Sequence, residues 1–165
     1  MKTRINKTTY RKKTRELLIR LIFQMASAGD FSDAAKDKFL DDKSLYIGDV
    51  SEDVPPGCIF DEARGEEPDL PYLEMCFECL RDNLAEIDGA IETASEKWAL
   101  ERMSTVDLAI LRVAAAELLY IEEIEDSVSV NEAVLMAKKY GSDKSSVFIN
   151  GILGTIARGM SEGGT

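Results

Sequence analysis

The sequence predicts an all-α protein of about seven helices in two small packed helical subdomains. Three observations lead there. Apolar residues recur at helical spacing along most of the 165 residues, capping signals and glycines punctuate them, and convincing alternating strands are absent. A hydrophobic share of 45% beside 31% charged residues is globular composition, enough for a core without disulfides or metal. We read residues 1–165 as one domain, with an N-terminal subdomain over 8–96 and a C-terminal subdomain over 97–159.

Residues 1–7 read as a loose arm. Thr8 or Thr9 can cap a first helix whose apolar stripe is Leu17, Leu18, Leu21, Ile22 and Met25, running to about Ala28 and stopping at Gly29. Ser32 to Lys43 forms a second helix with Phe39 and Leu40 turned inward. A segment from about 44 to 69 differs in kind. It holds Pro55, Pro56, Pro68 and three glycines, and from Asp49 to Asp69 eight acids face one arginine. Such a composition reads as a long exposed acidic loop.

Pro71 suits the first turn of a helix carrying Leu73, Met75, Cys76, Phe77, Leu80, Leu84 and Ile87, continuing or breaking near Gly89. Ser104 to Asp107 is a capping box for a helix to Tyr120 that is apolar on nearly every side and should be the buried centre. Ser129 to Glu132 is a second such box, opening a helix that ends at Gly141. Ser142 or Ser145 starts the last helix, with Phe148, Ile149, Ile152, Leu153 and Ile156, ending before Gly159.

Several function classes are excluded. The most apolar run, Val106 to Ile121, is short of the roughly 20 residues of a membrane span and carries Asp107, Arg112 and Glu117. The basic N-terminus lacks the apolar core and cleavage site of a secretory signal, so a cytoplasmic protein without membrane partners is expected. There is no histidine, no GxGxxG and no phosphate-binding GxxxxGK[ST], and no carboxylate pair stands out, so neither catalysis nor a cofactor is expected. Cys58, Cys76 and Cys79 are odd in number and fall short of four zinc ligands, so they read as reduced thiols with no metal. The Cys76-Phe77-Glu78-Cys79 spacing reads as small apolar residues on a helix.

Charge is unevenly distributed. The chain carries a net charge of -11, yet residues 1–20 hold eight cations against the single acid Glu16, a local +7 that leaves -18 on the rest. A basic head on an acidic body points to nucleic acid or another acidic surface. Lys12, Lys13, Arg15 and Arg20 lie mainly off the apolar stripe of the first helix, with Arg11 near its edge. Placed at a helix start, each cation would oppose the macrodipole by about 0.3–1 kcal/mol, a violation better explained by a bound anion than by stability.

Ordered motifs carry a resemblance. Trp98-x-x-x-Arg102, the run Val106 to Ala114, Glu117-Leu118-Leu119, Val130 to Val134, Ala137 to Gly141 and Phe148 to Leu153 follow in sequence the pattern of the NusB family. Arg11 to Glu16 resembles that family's arginine-rich motif, and Ile22-Phe23-Gln24 its Leu-Tyr-Gln. The resemblance is strong over 98–158, fair over 8–25, weak over 70–97 and absent in the acidic loop. It implies a fold of two helical subdomains and a transcription antitermination factor that binds box A RNA of ribosomal RNA transcripts together with ribosomal protein NusE. Other Nus factors and RNA polymerase would be engaged indirectly, and a homodimer is open to such a chain. By resemblance Arg11, Lys12, Lys13 and Arg15 contact RNA, assisted by the adjacent Lys7 and Tyr10. Phe148 and Asn150 lie in a motif near the RNA-facing side, where a core role for Phe148 stays open, and Asp107 matches an acidic position that would face NusE. The chain departs from the family in three ways. Lysines stand for two expected arginines and lose the planar fork, residues 126–129 lack a proline, and the acidic loop is longer. Two other readings stay open: a NusB-like RNA-binding module serving an rRNA-modifying enzyme in trans, and a helical protein-protein adaptor.

Overall fold

The structure, a computed structural model, describes residues 2–42, 46–47, 59–61, 65–96 and 98–163. Most of the expected acidic loop, the Cys58 thiol and the side chain of Lys7 lie outside the described residues. Seven α-helices are described: α1 (Lys2–Ala28), α2 (Asp33–Leu40), α3 (Leu70–Asp82), α4 (Leu84–Ser95), α5 (Thr105–Tyr120), α6 (Asp126–Tyr140) and α7 (Ser145–Gly163). The all-α expectation is met, with one addition. Tyr46–Ile47 and Phe60–Asp61, β1 and β2, form a two-residue parallel ladder too short to read as alternation. Among the described residues no helix is long and apolar enough to cross a membrane.

The chain divides into two compact units, Met1–Met75 and Cys76–Thr165. That division falls inside α3, earlier than the 96/97 boundary read from sequence, because α4 packs on α5 and α7.

In the first unit α1 supplies Leu17, Leu18, Leu21, Ile22 and Met25, all buried as the stripe predicts. Gly29 ends it with φ +69°, a left-handed residue that lets the Asp30 N–H reach the Met25 carbonyl at 3.1 Å. The helix starts at Lys2, not after a loose arm, so Thr8 and Thr9 are interior and do not cap it. Ser32 does cap α2, its hydroxyl accepting the Ala35 N–H at 3.1 Å, and α2 stops at Leu40, short of Lys43. Lys36 of α2 is buried and ion-paired to Glu74 at 2.7 Å, a hydrogen bond that raises its pKa.

In the second unit α5 is the buried centre, packed by α4, α6 and α7. Ala109, Ala114, Ala115 and Ala116 admit neighbouring backbones closely, and Ile110, Leu111, Val113 and Leu118 fill the space between them. Its polar side chains find partners on flanking helices. Arg112 donates two bonds to Asp88 of α4, at 2.8 and 2.9 Å. The Glu117 carboxylate, fully buried, accepts from the Ser129 hydroxyl at 3.2 Å. Tyr120 donates to Glu86 at 2.7 Å, and burial first, then that carboxylate, pushes its phenol up to about 12.

Three boundaries differ from those read in the sequence. The break after α3 lies at Asn83, whose side chain donates to the Cys79 carbonyl at 2.8 Å, and Gly89 is interior to α4. Helix α6 begins at Asp126, so Ser129 is no cap; its hydroxyl serves Glu117 instead. Helix α7 starts at Ser145 as expected but runs past Gly159 to Gly163. Gly141, where α6 ends, has no room for a side chain, since a Cβ there would lie 2.5 Å from Ser145. Cys76 is buried and Cys79 half-buried, with its thiol pushed up by burial, as unreactive helix residues.

Ile110→Ala should empty a closed site at the centre of α5 and lower unfolding stability by about 2–5 kcal/mol in urea titration. Loss below about 1 kcal/mol would mean that α5 is not the packing centre.

Candidate nucleic-acid interface

The basic run of α1, Arg11 to Arg15, occupies the third and fourth turns of a helix that begins at Lys2. These cations therefore do not overhang a helix start, and the macrodipole invoked from sequence has no part in this site. What shapes the run is the segment immediately before α3. Gly65 (φ +75°) to Asp69 meets α1 side chain by side chain.

Thr14 is fully buried and joins the two pieces. Its hydroxyl donates to the Tyr10 carbonyl one turn back and accepts the Asp69 N–H at 2.8 Å. The Asp69 carboxylate then works in two directions. One oxygen accepts the Tyr72 N–H at 3.3 Å, capping α3, and the other accepts the Arg11 Nε at 3.4 Å. Nearby, the Tyr10 hydroxyl donates to the Gly65 carbonyl at 3.4 Å, and Lys13 pairs with Glu66.

Tyr72 is a buried platform for two arginines. The guanidinium carbons of Arg11 and Arg15 lie 5.5 and 5.4 Å from its ring centroid, within cation–π range. The two differ in access. Arg15 is only 4% exposed, below the surface, whereas the Arg11 side chain is 38% exposed. Arg11 is held by its Nε and by the ring, and among the described residues its two Nη groups make no hydrogen bond. Lys12 is exposed. Tyr10, Arg11, Lys12, Lys13 and Arg15 are thus brought together, with Arg15 as support beneath the others.

The remaining sequence-derived residues belong to the second unit. Asp107 and Phe148 line one cavity of about 540 Å³, with Trp98, Arg102, Lys144 and Val147. Ser104 caps α5 as expected, accepting the Asp107 N–H at 3.0 Å. The capping box stays half closed, however. Asp107 is 8% exposed, and its Oδ1 is buried without a hydrogen-bond partner among the described residues. Phe148 is half-buried, a cavity wall rather than core. Asn150 is exposed on α7 and does not line the cavity.

Sequence reasoning missed Thr14, Glu66, Asp69 and Tyr72. A signal for one of them existed: Asp69, two residues before Pro71, is an N-cap residue type at the start of a helical pattern.

The NusB family model matches residues 12–158, nearly the whole chain. The chain belongs to the NusB family. The transcription antitermination protein NusB of Clostridium botulinum strain Hall is 36% identical over 144 residues, covering 87% of this chain and 96% of its own length. NusB of Natranaerobius thermophilus is 38% identical over 154 residues, covering 92% and 97%. The solved structure of T. maritima NusB superposes with a TM-score of 0.66 at 29% identity, covering 90% of each chain. A chain in the crystal structure of a plectonemic RNA supercoil shares the fold, with a TM-score of 0.70 at 20% identity. The NusB match begins at Lys12, inside the basic run, and ends at Arg158 within α7.

Thr14→Val keeps the shape of the buried side chain but strands the Asp69 N–H. It should cost about 1–3 kcal/mol of stability, read by urea titration. An unchanged midpoint would show that the Thr14 link does not hold the 65–69 segment to α1.

Proposed function

We propose that this chain is a transcription antitermination factor that binds box A RNA of ribosomal RNA transcripts together with ribosomal protein NusE, acting in the cytoplasm and without catalysis. Other Nus factors and RNA polymerase are engaged through that complex. The observation that carries the reading is the surface of α1 in a chain of the NusB family: Arg11 presents two Nη groups that make no hydrogen bond among the described residues, next to exposed Lys12. A guanidinium held at Nε keeps the planar fork suited to a phosphate or a base edge, and is partly ordered before RNA arrives. Lys12 is a point charge suited to phosphate. Arg15 acts from beneath, through Tyr72.

Single-stranded RNA is read by splayed bases, stacking and edge hydrogen bonds. Tyr10 on α1 and Phe148 and Asn150 on α7 supply aromatic and amide groups of that kind. Asp107 suits the protein partner. A buried carboxylate oxygen without a bond costs stability, and an ammonium, guanidinium or N–H from NusE would satisfy it. Arg102 and Lys144 on the same cavity wall are balanced by Asp107 and Asp143, so a partner group there is recognised by a directed hydrogen bond to Asp107 more than by net charge.

Fluorescence anisotropy of labelled box A RNA and a scrambled control, with and without NusE, tests the reading. Lys12→Gln should weaken both RNAs by the same factor and flatten the log–log salt slope by about 0.7, one phosphate on a single strand. Equal affinity of the wild-type protein for box A and the scramble, unaffected by NusE, would sink the proposal. Asp107→Asn should leave RNA affinity alone and reduce the enhancement by NusE at least severalfold. An undiminished enhancement would remove Asp107 from the partner surface.

A further inference from the structure

We propose that Glu66 is an intramolecular competitor for RNA: its carboxylate occupies at Lys13 the place a backbone phosphate would take, so that binding must displace it. The inference rests on the reading of α1 as the RNA surface and adds a regulation of that surface.

Three observations carry it. Glu66 Oε2 is ion-paired with Lys13 Nζ, in the middle of the basic run. The pairing is not a chance surface encounter, because the segment that bears Glu66 is fixed at both ends. Gly65 accepts from Tyr10 at 3.4 Å, and the Asp69 N–H donates to buried Thr14 at 2.8 Å. Finally, the segment is an anion in composition: Glu66, Glu67 and Asp69 carry three negative charges over 65–69 with no cation between them. A carboxylate and a phosphate offer an ammonium the same acceptor chemistry, so the two exclude one another at Lys13.

Asp69 and Glu66 divide the work. The Asp69 side chain is 8% exposed and accepts the Tyr72 N–H besides Arg11, and the Asp69 N–H is held by the buried Thr14 hydroxyl, so Asp69 is part of the frame and stays with it. The Lys13 and Glu66 side chains are 32% and 16% exposed, a partly solvated pair that solvent screens. Such a pair weakens binding without abolishing it. The contact therefore sets a threshold: an RNA that also engages Arg11 and Lys12 displaces Glu66, and a polyanion held by charge alone pays relatively more for Lys13.

The test uses the full chain and four proteins: wild type, Glu66→Gln, Lys13→Gln and the double variant, with Glu67→Gln as a control. Glu67 is exposed and has no ion pair among the described residues, so its variant makes the same change in net charge without touching the pair. Each is titrated at low salt into labelled box A RNA and into polyuridine. Glu66→Gln should bind both RNAs about two- to fivefold more tightly than Glu67→Gln, the range expected for releasing one partly exposed pair. The gain should vanish in the double variant and fade as salt rises. A gain no larger than that of Glu67→Gln, a gain that survives loss of Lys13, or weaker binding by Glu66→Gln would overturn the competition. Wild-type preference for box A alongside that result would leave the antitermination reading standing. Conversely, a Lys13-dependent gain on both RNAs without box A preference would support the competition and end the sequence-specific reading. No binding of either RNA by any of the proteins would end both.

Discussion

Much of the first unit depends on how Asp69 is tied to Thr14. A single residue gives its N–H to a buried hydroxyl of α1, caps α3 through Tyr72 and holds Arg11 at Nε. Each of these would be a modest contribution alone, on the order of 1 kcal/mol. Their value is geometric. Capping α3 at that point sets Tyr72 one turn in, and the Tyr72 ring is what Arg11 and Arg15 rest upon. The cations of the basic run are thereby sorted by depth: Arg15 beneath, Arg11 half-held at the surface, Lys12 outside, Lys13 engaged by Glu66. A run that reads as uniform positive charge in the sequence becomes four groups with different tasks.

The second unit solves a different problem, that of placing polar groups in an almost wholly apolar helix. Arg112, Glu117 and Tyr120 of α5 each meet a partner on α4 or α6, so the helix is tied to its neighbours in register as well as packed against them. Truncating one member of such a pair leaves the other buried and unpaired, and that penalty, more than the bond itself, keeps the arrangement specific. Asp107 is the exception on the same helix. Its neighbours in the cavity include two cations, yet Oδ1 has no bond among the described residues. A rule kept at three positions and broken at a fourth, in the wall of a cavity, is the pattern expected where binding and not stability selects the residue.

Periodicity and caps made most of the architecture legible. The stripe of α1, the glycine stop at Gly29, the Ser32 and Ser104 caps and the burial of α5 all follow from local chemistry in the chain. The errors share a cause. Thr8 and Thr9 look like caps, yet the helix runs through them to Lys2. Ser129 begins a capping pattern, yet a buried Glu117 on another helix claims its hydroxyl. The break at Asn83 has no glycine or proline to announce it, and the two-residue ladder between Tyr46 and Phe60 is too short to leave a period. Of the site, the cations were legible by count and by motif order. Their acidic counterparts were not, because Glu66 and Asp69 sit more than fifty residues from Lys13 and Arg11 in a stretch that reads as featureless acid.

That distance changes how the charge asymmetry is to be understood. A head of +7 on a body of -18 describes attraction for any polyanion and repulsion from most of the surface. The fold arranges the same charges more selectively, by bringing two acids of the body, Glu66 and Asp69, onto the head itself. Net attraction is lowered where contact is purely electrostatic, since every ammonium already paired must exchange one anion for another. That loss weighs less where a planar fork on an aromatic ring adds contacts other than charge. Replacing arginines by lysines, which costs bidentate contacts, and placing the Glu66 carboxylate against Lys13 push in the same direction. Both shift the burden of recognition from the number of cations to the few groups whose geometry is held, and at the exposed surface that group is Arg11.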